Sequence, residues 1–247
     1  TSDFGPAGDH EKSWECPDLF QLPVDGDSNN KKWVMVVSIN WAQEQYFIGD
    51  FDGTSFTLMD NHPDTPLYLD KGLDFYASRT FRDYDNTLKN TVSMGWVATW
   101  DYAQLVPSEY GKGFWSIPRN LNLKTYKEGI RLIQNPIEQL QTLRYKPFSI
   151  KRSLQVGIQN IPGFVPEENV YELDATFSTD TSNTFGFNLC TGDGRKVVIS
   201  YDTDSHNLVI DRTHSADVAI PKFSRMTHAL VEPINDKIRF HIFVDKS

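Results

Sequence analysis

Lys32-Trp33-Val34-Met35-Val36-Val37-Ser38-Ile39 is a β-branched and aromatic run of strand length, and Gln45-Tyr46-Phe47-Ile48-Gly49-Asp50-Phe51 follows it closely. Asp52-Gly53 then supplies a hairpin-turn signal before a further strand at Ser55 to Met59. Working outward, Leu88 to Trp100 reads as another pair of strands. Short strands punctuated by turns through the first half predict a propeller or a sandwich, and no fixed-period repeat chooses between them.

The second half continues in the same way. Strands are expected at Val170 to Ser178, Thr184 to Leu189, Lys196 to Tyr201, Asn207 to Arg212, and His228 to Val244 with a turn near Asn235-Asp236. Thr191-Gly192-Asp193-Gly194 is a tight turn. Tyr171, Leu173, Ala175 and Phe177 alternate onto one face, as a half-buried antiparallel sheet requires, so a sandwich is predicted here. Asn135 to Arg144 is the helical exception. Pro136 suits a first helical position, and Ile137, Leu140 and Leu143 form an apolar stripe that Pro147 ends. The predicted organisation is an all-β chain with one domain over 1–134, a connector helix over 135–147 and a second domain over 148–247.

Composition narrows the partners. The net charge of −9 repels phosphate backbones and anionic headgroups, so neither nucleic acid nor a membrane is an expected partner. No apolar run is long enough to span a bilayer as a helix. Aromatic residues make up 13% of the chain, which suits β cores or flat platforms for sugar rings. Cys16 and Cys190 form neither a disulfide framework nor a zinc cluster and are read as unpaired thiols. The six histidines lack metal-ligand spacing. Asp25 and Asp27, with Asn29 and Asn30, lack the glycine and terminal Glu of a calcium loop and read as a solvated turn. No metal or cofactor is expected.

Trp14-Glu15-Cys16-Pro17-Asp18-Leu19-Phe20 carries the chemistry. Pro17 interrupts a regular strand, leaving Glu15 just before a rigid kink. Trp14 and Cys16 flank it with weakly hydrated groups, a setting that raises a carboxyl pKa and suits a general acid. The residues alone also permit a surface Glu beside a strand start. Asp18 is read as satisfying loop amides after Pro17. Trp33 and Trp41 are read as strand core, whereas Trp96 and Trp100, spaced for one face of a strand, are equally fit to line a cleft.

This stretch, taken with Trp33 to Asn40 and Gln45 to Gly53, resembles the acid/base block of glycoside hydrolase family 32, the invertase, inulinase and levanase family. Asp74-Phe75-Tyr76-Ala77-Ser78-Arg79-Thr80-Phe81 is similar to the family's Asp-Phe-Tyr-Ala stretch. Gly95-Trp96 through Trp100-Asp101-Tyr102-Ala103, then Trp115-Ser116-Ile117-Pro118-Arg119, is similar to its paired-Trp strand. The likeness is looser beyond residue 145.

The resemblance implies part of a five-bladed β-propeller followed by a β-sandwich, and retaining hydrolysis of β-fructosides of the sucrose, inulin or levan type. It implies Glu15 as acid/base, Cys16 in the fructose subsite, Asp70 at the leaving-group sugar, and Tyr76 and Trp96 shaping the cleft. The family's Asn-Asp-Pro nucleophile and Arg-Asp-Pro stretches, which precede the acid/base block, do not occur in this chain, and Arg82-Asp83-Tyr84 falls after that block. The loop after Asn40 is shorter than the family's, and Thr99 stands where Asn is common.

One carboxylic acid cannot complete a double displacement, so little activity is expected of this chain alone. The alternative is a non-catalytic carbohydrate-binding or inactive fragment; a neighbouring five-bladed group acting on arabinose-type sugars is disfavoured by Glu15-Cys16-Pro17-Asp18. A propeller lacking its first blades would expose strand edges and self-associate. The family's habit predicts an extracellular or periplasmic location.

Overall fold

The computed structural model describes residues 5–59, 64–82, 90–109, 111–153, 155–180 and 183–245, and for Cys190 and Thr191 the backbone alone. The chain divides into two units, Thr1–Glu138 with Ile220–Phe223, and Gln139–Ala219 with Ser224–Ser247.

The first unit is built from β1 (Trp14–Val24), β2 (Asp27–Ile39), β3 (Gln43–Phe51), β4 (Phe56–Leu58), β5 (Leu67–Tyr68), β6 (Tyr76–Thr80), β7 (Thr91–Val97), β8 (Phe114–Trp115), β9 (Arg119–Tyr126) and β10 (Gly129–Pro136). Neighbouring strands run β4-β3-β2-β1-β9-β7-β6, with β10 on β9, β5 on β3 and β8 on β7. Pairing is antiparallel except where β1 meets β9 at Val24 and Leu123.

Alternation explains why these segments are strands. Phe20, Leu22 and Val24 of β1, Val34 and Val36 of β2, and Tyr46 and Ile48 of β3 point to one core with Phe75, Leu121 and Leu123. Val37, Ile39 and Phe47 face a second cluster with Trp14, Met35 and Tyr68. Both faces of β2 and β3 are therefore covered, which accounts for their nearly continuous apolar runs.

The second unit has β11 (Val170–Ser178) paired with β16 (Lys237–Asp245), and a four-stranded sheet in the order β12 (Thr184–Gly192), β13 (Arg195–Asp202), β14 (Asn207–Asp211), β15 (Met226–Leu230). Phe177, Ile238 and Phe240 from the first sheet pack with Phe185, Tyr201 and Leu208 from the second. The Phe177 and Phe185 rings stack at 4.8 Å. The expected face of Tyr171, Leu173, Ala175 and Phe177 is the more covered one. Asp193 and Gly194 both have left-handed φ, 52° and 79°, as a two-residue hairpin turn demands.

Three expectations change. Asn135 and Pro136 are the last residues of β10, opposite Asn120 and Arg119, and the helix is a short 3₁₀ turn over Glu138–Leu143. A Pro is tolerated at the end of an edge strand, and the Ile137 amide bonds the Pro118 carbonyl at 3.1 Å instead of starting a helix. The stripe covers no core: Leu143 is 71% exposed. Residues 88–100 yield one described strand, β7, with Leu88 and Lys89 outside the described residues. Pro17 lies inside β1 rather than ending it, for a reason that bears on the site.

Candidate active site

Glu15 pairs with Ser38, but Asp18 pairs with Val36, so three steps along β1 match two along β2. The extra residue is a β-bulge. Cys16 takes a left-handed φ of 46° within it, and Pro17, which has no N–H for the ladder, is accommodated where the ladder is interrupted. Strand β6 repeats the device. Tyr76 pairs with Trp96 and Arg79 with Met94, and Ala77 has φ 51°. Bulges re-aim side chains. Here the Tyr76 hydroxyl donates to Glu15 Oε2 at 2.6 Å.

The other Glu15 oxygen, Oε1, has Ser13 Oγ at 3.5 Å. Trp14 is held beside it: its indole N–H donates to the Asp9 carbonyl at 2.7 Å, and its ring stacks on His10 at 4.6 Å and leans on Phe47 at 5.4 Å. Tyr76 is buried. That burial, and then its donation to Glu15, raise the phenol far above its usual range, so it is a donor at any working pH. Cys16 is a half-buried free thiol.

Strands β1 and β6 are locked together below this pair. Asp18 is buried and accepts from the Thr80 amide at 2.7 Å and hydroxyl at 2.8 Å, and from Arg82. Arg79 donates to the Pro17 carbonyl. Asp18 thus satisfies backbone amides, but those of β6 rather than of its own loop. Asp83 and Tyr84 lie outside the described residues.

Trp96 donates its indole N–H to the Lys112 carbonyl at 2.7 Å and meets the Trp100 ring at 5.0 Å. Trp100 is not on the strand; β7 ends at Val97, and the turn that follows brings the rings together. Trp100 and Trp115 are well exposed, giving an apolar rim next to the β7 partner of Tyr76. Trp41 is likewise not strand core. It occupies the β2–β3 turn with φ 63°, more than a third exposed, under the Lys12 ammonium at 4.4 Å.

Asp70 lies apart from the Glu15–Tyr76 pair in its bonding. It accepts from the Gly72 amide at 2.6 Å and from Arg119 at 2.8 Å, and Arg119 also covers the Phe75 ring at 4.0 Å. Asp25 accepts from the Thr125 hydroxyl at 2.6 Å and amide at 3.0 Å, tying the β1–β2 turn to β9.

Two residues escaped sequence reading. The Asp9 carboxylate accepts from the Asn40 side-chain amide at 2.8 Å, and its backbone N–H donates to Gln45 Oε1 at 2.8 Å. Glu44 is fully buried on β3 and accepts from Ser38 at 2.7 Å and from the Ser78 amide at 2.9 Å. Burial raises its carboxyl to about 7, against those hydrogen bonds. Its setting, Gln43-Glu44-Gln45, reads locally as a solvated stretch.

The strand-built first unit and the two-sheet second unit match a known family. The sequence profile of the Glycosyl hydrolases family 32 N-terminal domain matches residues 1–136, and that of the family 32 C-terminal domain matches 137–247. The chain belongs to glycoside hydrolase family 32. Among curated relatives, it is 38% identical to the levanase of Bacillus subtilis (strain 168) over its whole length, covering 38% of that protein. It is 31% identical to the extracellular exo-inulinase of Aspergillus niger, covering 48% of it. The crystal structure of exo-inulinase from Aspergillus awamori superposes with a TM-score of 0.80 at 28% identity, over 99% of this chain and 50% of that one. A fructofuranosidase of Schwanniomyces occidentalis complexed with fructosylnystose gives 0.68 at 26%, over 97% and 51%. The chain spans about half or less of each of these relatives.

Proposed function

We propose that this chain supplies the acid/base half of a retaining β-fructosidase active site, acting on a fructan or sucrose-type substrate. The observation that carries the reading is the 2.6 Å bond from Tyr76 to Glu15 Oε2, made where two bulges face one another. With Oε2 engaged, Oε1 is the oxygen left to give its proton to the departing glycosidic oxygen. The carboxylate formed by that transfer keeps the Tyr76 hydroxyl as a charge-assisted donor. Trp96, Trp100 and Trp115 offer apolar faces to sugar rings on the same side. Cys16, in the β1 bulge beside Glu15, borders the fructose position, and Asp70 serves the leaving-group sugar through the Arg119 network.

Double displacement needs a second carboxylate about 5–5.5 Å from the first. Glu44 is enclosed and cannot reach a substrate, and the chain contains no Asn-Asp-Pro. Little turnover by these 247 residues alone follows. The relatives named as extracellular support an exported location.

Release of fructose from sucrose, inulin and levan tests the reading, in a polypeptide joining this chain to an Asn-Asp-Pro segment. Glu15→Gln should lower kcat by about 10²–10⁴. Unchanged turnover refutes Glu15 as the acid/base. Turnover by the 247-residue chain that Glu15→Gln abolishes refutes the predicted inactivity.

A further inference from the structure

We infer that Glu44 is a positioning residue, a buried strut that holds both bulges in the register that lets Tyr76 meet Glu15. The inference rests on the reading of Glu15 as the acid/base.

Ser38 of β2 is the cross-strand partner of Glu15 on one side and of Glu44 on the other. Glu15, Ser38 and Glu44 therefore form one row across three strands. Glu44 Oε1 closes that row by accepting from the Ser38 hydroxyl, and the same oxygen accepts from the Ser78 amide. Ser78 sits in the β6 bulge, two residues after Tyr76. One carboxyl oxygen thus ties the partner of Glu15 to the bulge that aims Tyr76. Both strands depart from regular pairing there, so ladder bonds alone do not specify the geometry.

Glu44 has no exposure and cannot touch a sugar, so its effect passes through other groups. Its second oxygen, Oε2, is buried without a hydrogen-bond partner among the described residues. A neutral carboxyl tolerates this better than an ionised one. Arg79 and Tyr76 from β6 and the neutral Ser38 from β2 face it, Glu15 and Cys16 of β1 act on the same Tyr76, and Tyr68 of β5 lies opposite its neighbour Gln45. Arg79 is the cation of this group. It bonds the Pro17 carbonyl and is exposed, so it offsets ionisation of Glu44 only in part.

The test is NMR of the Tyr76 hydroxyl proton in the 247-residue chain, with Glu44→Gln and Glu44→Leu. It reads no turnover, so a failure of the fructosidase reading and a failure of this one are separately visible. In Glu44→Leu, hydroxyl exchange should quicken at least about tenfold, because both ties on Oε1 are lost. Glu44→Gln keeps an acceptor at Oε1 and should restore exchange to within about twofold of the parent. A folded Glu44→Leu with unchanged exchange overturns the inference, as does a Gln variant no better than Leu. Should Glu44→Leu fail to fold, the pH dependence decides. The parent's Tyr76 signal should shift with a midpoint near 7 that vanishes in Glu44→Gln. A flat parent signal, or a midpoint that survives the substitution, overturns it.

Discussion

Asp18, buried on β1, accepts hydrogen bonds from both the amide and the hydroxyl of Thr80 on β6, two strands with no ladder of their own. This carboxylate, with the Arg79 and Arg82 bonds to the Pro17 and Leu19 carbonyls, thus replaces missing sheet pairing directly beneath the Glu15–Tyr76 pair. Asp18→Ala would leave the half-buried Thr80 amide unpaired and Arg82 without its ionic partner, holding only the Leu19 carbonyl. Destabilisation of about 3 kcal/mol is expected in urea unfolding. A loss below about 0.5 kcal/mol would show that water replaces the carboxylate at no cost.

Tyr76→Phe keeps the ring in its pocket and deletes the donor on Glu15. In a polypeptide that includes an Asn-Asp-Pro segment, kcat should fall about tenfold with KM nearly unchanged, because the donor acts on the charged carboxylate formed during the reaction. A change confined to KM would assign Tyr76 to substrate binding instead.

Glu44 makes stability depend on pH. Its folded value of about 7 lies above the ordinary 4.5, so the fold binds the proton more tightly than the unfolded chain does. The contribution is fully present below 4.5 and is lost as pH rises through 7. Stability should fall by about 3 kcal/mol across that window. Urea midpoints at pH 5 and pH 8 measure it, and Glu44→Gln should flatten the difference.

Gly49 on β3 faces β4 so closely that an added Cβ would lie 2.0 Å from the Thr57 carbonyl oxygen. That neighbour is backbone and can yield only by moving the strand. Gly49→Ala is expected to cost about 2 kcal/mol, measurable by thermal unfolding. An unchanged melting temperature would mean that β4 shifts freely.

Phe240 joins the two sheets of the second unit through edge contacts with Phe187 and Phe185 at 5.6 and 6.2 Å. Phe240→Ala should destabilise that unit by about 3–4 kcal/mol. Loss of near-ultraviolet circular dichroism at lower urea would register it.

Strand identity was legible wherever side chains repeat with a period of two. The runs at 32–39 and 45–51 fall inside β2 and β3, and Val170–Ser178 is β11. Reading failed where the period and the backbone part company. Pro17 argued locally against a strand, yet β1 passes through it, because a bulge needs no N–H at that point. Ile137, Leu140 and Leu143 matched a helical stripe but have no core beneath them. Of the proposed site, Glu15 and Tyr76 were singled out by motif resemblance, whereas Asp9 and Glu44, whose neighbours in sequence are polar, gave no signal.

Side-chain chemistry and motif order along the chain were enough to indicate an all-β protein of family 32 type. They could not reveal that Glu15 and Tyr76 meet, or that Ser38 stands between Glu15 and Glu44. A bulge is a mismatch in residue count between two strands, and a buried carboxyl depends on what packs over it. Both are relations between distant segments, so they come into being only when the sheet assembles.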